Sequence, residues 1–125
     1  MITIIIPTIN RPEFIIRYID YLQLSNFDGE LLIGDSSDIL EFNITSQHIK
    51  DNSFSFQIIH HSYPKKMHYE VIRELIPLIS MPFCLYMCDD DFIIVETLNK
   101  AINFLTNNLD YSAVGGRGIM CYTSY

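Results

Sequence analysis

The sequence predicts an α/β fold: a three-layer α/β/α sandwich with helices on both faces of a mostly parallel sheet. Apolar segments rich in Ile, Phe and Tyr alternate with stretches of helical period from the first residue to the last. The first such segment, Ile2 to Ile6, carries apolar side chains on both faces, as a central strand covered by helices does. Strands separated by helices cross over and pair in parallel, which favours the sandwich.

The first strand is predicted at Ile2 to Ile6 and is expected to end at Pro7. Asn10 to Glu13 has the N-x-x-E form of a capping box, and a proline is tolerated in a first helical turn. An apolar stripe follows from Phe14 to Leu22. These signals predict a first helix that ends near Leu24.

The second strand is predicted at Glu30 to Gly34, after a turn that contains Asp28-Gly29, with Asp35 just past its end. Asp38 to Glu41 can cap a second helix that ends near Ile49. Pro77 is expected to kink or shorten the third helix. The remaining predictions are a third strand at Phe54 to Ile58, a third helix over Met67 to Ile79, a fourth strand at Phe83 to Cys88, a fourth helix around Leu98 to Leu105 and a fifth strand at Tyr111 to Gly115.

Composition predicts one folded domain over residues 1–125. Hydrophobic residues make up 49% of the chain and charged residues 18%. The formal net charge of -7 repels nucleic-acid backbones and anionic lipid surfaces, so a nucleic-acid-binding role is not expected. The longest apolar runs are far short of the roughly 20 residues that a membrane helix needs. No basic leader precedes the first apolar run, which predicts a cytoplasmic protein.

Three cysteines, an odd number without framework spacing, suit reduced thiols in a cytosolic chain. One interpretation is a zinc site formed by Cys84 and Cys88 together with His60 and His61. Packing of each thiol as a small apolar group is the favoured interpretation, because C-x-x-x-C is not a usual zinc spacing.

Polar and acidic groups follow three of the predicted strands. Because ligands bind at the carboxyl ends of parallel strands, the candidate segments are Thr8 to Arg11, Asp35 to Asp38 and Asp89 to Asp91. The chain has no G-x-x-x-x-G-K-[ST] loop and no dinucleotide fingerprint after its first strand.

The acidic triplet is the most informative of these segments. On an extended backbone Asp89 and Asp91 project to one side and Asp90 to the other. Two like charges on one face are best resolved by a cation, and carboxylate oxygens favour Mg²⁺ or Mn²⁺, often shared with a phosphate. The alternative is that Asp91 caps the following helix while the other two carboxylates are solvated.

Three motifs together resemble the nucleotide-sugar-binding half of family 2 glycosyltransferases, over nearly the whole chain. They read ITIIIPTINRP at residues 2–12, LLIGDSSD at residues 31–38 and CLYMCDDDF at residues 84–92. The resemblance implies the GT-A fold with its Rossmann-like sheet. It also implies transfer of a sugar from a nucleotide diphosphate-sugar to a glycan or lipid-linked acceptor, in polysaccharide or glycoconjugate synthesis such as that of the cell envelope.

The resemblance assigns roles to particular residues of the first two motifs and of the third helix. It places Thr8 and Arg11 near the base and phosphates, and Asp35 at the base edge. Arg73 matches a nucleotide-contacting arginine about sixteen residues before the triplet. An exposed helix arginine paired with Glu74 is the alternative for Arg73.

In the triplet, the resemblance implies that Asp89 and Asp91 hold Mn²⁺ or Mg²⁺, with Asp89 reaching the ribose or the metal and Asp90 in the nucleotide-sugar site. The general base of this family follows the D-x-D pair by many tens of residues, so it is expected beyond Tyr125. The chain is therefore predicted to be the donor-binding part of a longer enzyme, truncated before the acceptor-binding half and inactive alone.

Two other functions stay open. The first alternative is a non-catalytic nucleotide-binding or interaction module. Exposed apolar surface would favour homodimer formation by such a module. A haloacid-dehalogenase-like phosphatase is the second, because Asp89-x-Asp91-x-Ile93 after an apolar strand loosely resembles its nucleophile sequence.

Overall fold

A computed structural model describes residues 1–122 as an α/β domain, so residues 123–125 of the predicted domain lie outside the described part. Strands and helices alternate along the chain. Their bounds are β1 Ile2–Thr8, α1 Pro12–Leu24, β2 Glu30–Asp35, α2 Ile39–Asp51, β3 Gln57–Ser62, α3 His68–Leu75, β4 Phe83–Tyr86 and α4 Val95–Asn107.

The four strands form one sheet in the order β3-β2-β1-β4, and every neighbouring pair is parallel. β1 is central, with Ile4 beside Leu31 of β2 on one side and beside Leu85 of β4 on the other. Helices cover both faces. The predicted three-layer sandwich with a parallel, Rossmann-like sheet is confirmed.

Two apolar clusters lie on opposite faces of the sheet. The larger cluster joins β1 and β2 to α1 and α4, and it includes Ile4, Ile6, Ile15, Ile19, Leu31, Ile33 and Leu98. The smaller cluster places α3 on the other face and consists of Ile5, Leu32, Val71 and Leu75. Because successive strand side chains point to opposite faces, Ile4, Ile5 and Ile6 serve both clusters in turn.

β1 extends through Pro7 to Thr8, so the prediction that Pro7 ends the strand is wrong. Pro7 pairs with Gly34 of β2, whereas the pairing of β1 with β4 stops at Ile5 and Tyr86. At Pro7 the strand therefore has a neighbour on one side only. A sheet tolerates a residue without an N–H at such a local edge.

α1 begins at Pro12, and the predicted capping box at Asn10 to Glu13 is wrong. The N-cap is Arg11, whose side chain makes no capping hydrogen bond. Asn10 has a φ of 51°, and its carboxamide oxygen accepts from the Asp38 N–H at 3.1 Å. The Asn10 side chain is thus used between two loops rather than on its own helix.

The predictions for the second and third helices are confirmed. The Asp38 carboxylate caps α2 by accepting from the N–H groups of Leu40 at 3.0 Å and Glu41 at 3.2 Å. α3 ends at Leu75 and passes into a short 3₁₀ turn that contains Pro77.

β3 lies later in the chain than the alternation of Phe54, Phe56 and Ile58 predicted. Phe56 is buried before β3 begins, and its ring meets that of Phe27 edge-on with 5.3 Å between centroids. Phe54 packs against the same cluster. The aromatic alternation therefore reflects burial of the connection between α2 and β3, not a strand.

The fifth strand, predicted at Tyr111 to Gly115, is wrong. Residues 109–122 are exposed and contain no strand. A strand needs a neighbouring backbone to pair with, and apolar side chains of this segment such as Val114 remain exposed. Within residues 1–122 the sheet therefore has four strands rather than five, and β4 is an edge strand.

None of the helices in residues 1–122 combines the length and apolar character required to cross a bilayer.

Candidate functional site

The parallel strands bring the loops after β1, β2 and β4 to one edge of the sheet. A cavity of about 710 Å³ opens at this edge. It is lined by Pro7, Thr8, Ile9, Arg11, Ser36, Lys66, Met67, His68, Tyr86, Cys88, Asp89 and Asp90. The structure thus brings Thr8 and Arg11 of the first predicted segment next to Asp89 and Asp90 of the third.

Asp89 connects the loop after β1 to the acidic segment after β4. Its Oδ2 accepts from the Thr8 hydroxyl at 2.7 Å and from Arg11 Nε at 3.3 Å, and its Oδ1 accepts from Arg11 Nη2. The Asp89 side chain is 4% exposed, compared with 40% for Arg11. Both oxygens of this carboxylate are therefore engaged inside the protein.

The Arg11 guanidinium is fixed on several sides. Besides its contacts with Asp89, its Cζ lies 4.6 Å from the centre of the Phe14 ring. Its Nη1 is 3.8 Å from Asp90 Oδ2, close enough for an ion pair but too far for a hydrogen bond. The hydrogen bond to Asp89 raises the pKa of Arg11; burial opposes this, and the charges of Asp89 and Asp90 reinforce it.

The acidic triplet lies in a turn rather than on an extended strand. β4 ends at Tyr86, and the Asp91 N–H donates to the Cys88 carbonyl at 3.4 Å. The prediction that Asp89 and Asp91 project together is wrong, because strand alternation does not continue through a turn. Asp89 faces inward. One ligand atom from each of Cys88, Asp90 and Asp91 lies within 4.8 Å of the other two.

The loop after β2 is attached to the loop after β1. The Ser36 N–H donates to the Thr8 carbonyl at 2.9 Å, and the Asn10 N–H donates to Ser37 Oγ at 2.6 Å. The contact from Asp38 to Asn10 closes the pair of loops. Ser36 thereby reaches the cavity wall, although Asp35 does not.

Asp35 is buried behind this wall. Its Oδ1 accepts from the Ser37 N–H at 2.8 Å, and its Oδ2 lies 3.0 Å from His60 Nε2. His60 Nδ1 is 3.1 Å from Ser46 Oγ, and the imidazole stacks on the Phe42 ring at 4.2 Å between centroids. His60 is thus engaged on both nitrogens, and base contact by Asp35 stays a prediction.

The Asp35 contacts predict an acid-dependent contribution to stability. Burial alone would raise the pKa of Asp35, but the hydrogen bonds from His60 and Ser37 outweigh it and lower the pKa. A carboxylate with a lowered folded pKa stabilises the fold above its unfolded value near 3.9, and this stability is lost as pH falls through the folded pKa. We expect Asp35→Asn to cost about 2 kcal/mol at pH 7, with the deficit shrinking below about pH 4.

Urea unfolding of Asp35→Asn and the wild type between pH 7 and pH 3 measures this effect. Asp28→Asn, in an exposed loop, is the charge-matched control. A deficit of constant size across the whole pH range would contradict the assignment.

The remaining predicted residue, Arg73, is not part of the cavity wall. It is exposed on α3, whose first turn reaches the cavity through Met67 and His68. Lys66 lines the cavity, and its ammonium group pairs with Glu74. Lys66, in the loop that leads into α3, therefore adds positive charge to a cavity wall that already contains Arg11. Nucleotide contact by Arg73 stays a prediction.

A second depression, of about 630 Å³, lies against the outer face of α1. It is lined mainly by apolar groups and by residues such as Arg17, Asp20 and Phe92. None of the predicted site residues takes part in it, so it does not compete with the cavity at the strand ends.

The architecture is that of a glycosyltransferase-like α/β fold. Two solved structures of S. aureus TarS, a glycosyltransferase, are similar to this chain. One has a TM-score of 0.67 at 19% identity over 95% of this chain, and the other, of TarS 1-349, has 0.64 at 20% over 96%. This chain spans 23% and 38% of those two chains, respectively. No family model and no curated protein matches the sequence.

Proposed function

We propose that this chain binds a nucleotide diphosphate-sugar with Mn²⁺ or Mg²⁺, as the donor-binding part of a family 2 glycosyltransferase. The enzyme would transfer the sugar to a hydroxyl of a glycan or lipid-linked acceptor in polysaccharide or glycoconjugate synthesis. One observation carries the proposal: the acidic turn after β4 and the loop after β1 share one cavity at the carboxyl edge of a glycosyltransferase-like sheet.

The donor atoms at the turn fit a hard divalent cation. Asp90 and Asp91 are both exposed, and their oxygens are within 4.8 Å of each other. Asp91 does not cap α4, whose N-cap is Ile94. Mg²⁺ and Mn²⁺ take oxygen ligands, and Mg²⁺ is usually bound by one or two carboxylates together with phosphates and water. We assign the metal to Asp90 and Asp91 in place of the expected pair Asp89 and Asp91.

The described residues support donor binding rather than acceptor activation. A divalent ion, when bound, supplies charge neutralisation for the departing diphosphate. Arg11 places a fixed positive charge beside the turn, and Thr8 and Ser36 form the adjoining wall. Activation of the acceptor hydroxyl by a general base stays a prediction.

The alternative functions differ in whether Asp89 must be accessible and in whether the protein catalyses a reaction. A phosphatase needs Asp89 as an accessible nucleophile, and burial of its carboxylate counts against that function. A non-catalytic module needs only the cavity and stays the second candidate. Sugar transfer by a longer chain that contains this domain distinguishes the enzyme from the module.

A thermal-shift panel tests the proposal. Uridine and guanosine diphosphates and their sugars are added with Mn²⁺ or with EDTA. A ligand that binds only the folded state at 100 times its Kd stabilises it by about 2.7 kcal/mol. We expect a rise in Tm for at least one diphosphate that is larger with Mn²⁺. No shift for any nucleotide in either condition would refute donor binding.

A further inference from the structure

We infer that Asp89 is a positioning residue that fixes Arg11 as an anion-binding group, and that the cavity therefore binds a diphosphate even without metal. The metal-dependent part of binding belongs to Asp90 and Asp91 and rests on the proposed function. The acidic triplet is thus divided between two tasks: one carboxylate serves an arginine, and two serve a cation.

The hydrogen bonds of the guanidinium show which of its edges is available. Nε and Nη2 form a two-point contact with Asp89, the geometry that best orients an arginine on a carboxylate. Nη1 has no hydrogen bond within residues 1–122 and lies on the side of Asp90. Arg11 also lines the cavity. The two N–H bonds of Nη1 are therefore available as donors to a phosphate oxygen.

The burial of Asp89 keeps Arg11 in place when a ligand arrives. The carboxylate is 4% exposed, and Arg11 is its only ion-pair partner among residues 1–122. Withdrawal of Arg11 would leave a buried charge with only the Thr8 hydroxyl for compensation, which is strongly unfavourable. Packing on the Phe14 ring restrains the guanidinium plane as well. The arginine is therefore prepared for an anion before the anion binds.

Asp90 has opposite effects on the two modes of binding. Its Oδ2 is 3.8 Å from Arg11 Nη1, so without metal this carboxylate competes with an anion for Arg11. With metal, the same carboxylate is a ligand that brings the cation to the phosphates. Neutralising Asp90 should then strengthen metal-free anion binding and weaken metal-dependent binding.

Calorimetry with inorganic pyrophosphate, in EDTA and in Mn²⁺, separates the two modes without depending on the base. In EDTA we expect Arg11→Gln to weaken affinity about tenfold or more, since it removes a charge-assisted contact. Asp89→Asn should weaken it as well, but should add little in the Arg11→Gln background. Asp90→Asn should tighten it. Arg117→Gln, the same change on an exposed arginine outside the cavity, is the matched control.

A wild-type measurement avoids dependence on variants that fail to fold. Phenylglyoxal modifies accessible arginines, and mass spectrometry locates the adducts. Pyrophosphate in EDTA should protect Arg11 and leave Arg117 unprotected. Equal modification of Arg11 with and without pyrophosphate would overturn the inference, as would Arg11→Gln or Asp89→Asn binding pyrophosphate in EDTA as tightly as the wild type.

Binding measurements in EDTA and in Mn²⁺ distinguish an error in the anion site from an error in the metal-dependent donor site. If nucleotide diphosphates bind with Mn²⁺ but pyrophosphate in EDTA does not bind, the role of Asp89 and Arg11 is wrong and donor binding stands. If pyrophosphate binds through Arg11 but Mn²⁺ never strengthens binding of a nucleotide diphosphate, the metal-dependent donor site is wrong and the anion site stands.

Discussion

A double variant, Asp90→Asn with Asp91→Asn, is expected to lose the Mn²⁺-dependent part of uridine or guanosine diphosphate binding. Both carboxylates are exposed beside the cavity, and amides are much weaker ligands for a hard cation than carboxylates. We expect the affinity in Mn²⁺ to fall about 100-fold, equivalent to ~2.7 kcal/mol. The fold should persist, because neither side chain is buried.

Isothermal titration calorimetry of the better-binding diphosphate measures this loss. The double variant Asp28→Asn with Asp110→Asn removes the same charge from exposed positions outside the cavity and serves as the control. If the Asp90 and Asp91 variant keeps wild-type affinity in Mn²⁺, the metal is not held at this turn. If the control loses affinity equally, net charge rather than coordination explains the effect.

Gly34→Ala is expected to have the largest effect on stability of the changes considered. A Cβ at this position would lie 2.2 Å from Val71 Cγ1 and 3.0 Å from Leu75 Cδ1. Both side chains are buried where α3 packs on β2, so neither can move aside easily. Overpacking of this kind costs about 3 kcal/mol, which should lower the Tm by about 10 °C.

Thermal unfolding followed by circular dichroism measures the cost of Gly34→Ala. Gly116→Ala is the control, because a Cβ there meets nothing within 4 Å. Displacement of α3 also moves Met67 and His68 of the cavity wall, so nucleotide affinity should fall in the Gly34 variant even well below its Tm. Equal Tm values for the two alanine variants would show that α3 does not pack on β2 as described.

The layers of the fold were predictable from the sequence where a buried face gives an element a clear hydrophobic periodicity. The apolar stripe of α1 and the run of β1 report contacts that extend along whole elements. The strand predicted from Phe54 and Phe56 was misplaced because aromatic residues are common both in buried connections and in strands. The strand predicted at Tyr111 to Gly115 was wrong because strand pairing depends on a neighbouring backbone. The local sequence pattern does not show whether that backbone is present.

The site was predictable by segment but not by side chain. Parallel topology alone implied that Thr8, Arg11 and the acidic triplet would meet at one edge. The inward turn of Asp89 was not predictable, because it depends on where β4 ends and on a partner 78 residues away. His60, which holds Asp35, carried only a weak signal: its place on the strand next to β2. Met67 and His68 were detectable only as the start of a helix.

The most direct test of the account is whether a phosphate shares a metal with the turn after β4. Phosphorus-31 electron–nuclear double resonance on Mn²⁺ bound to the wild-type chain detects the phosphorus nucleus of a phosphate that coordinates the ion. With uridine or guanosine diphosphate we predict a phosphorus coupling that the Asp90→Asn, Asp91→Asn variant lacks. A Mn²⁺ spectrum that neither diphosphate changes, or a coupling of equal strength in the variant, would contradict the account.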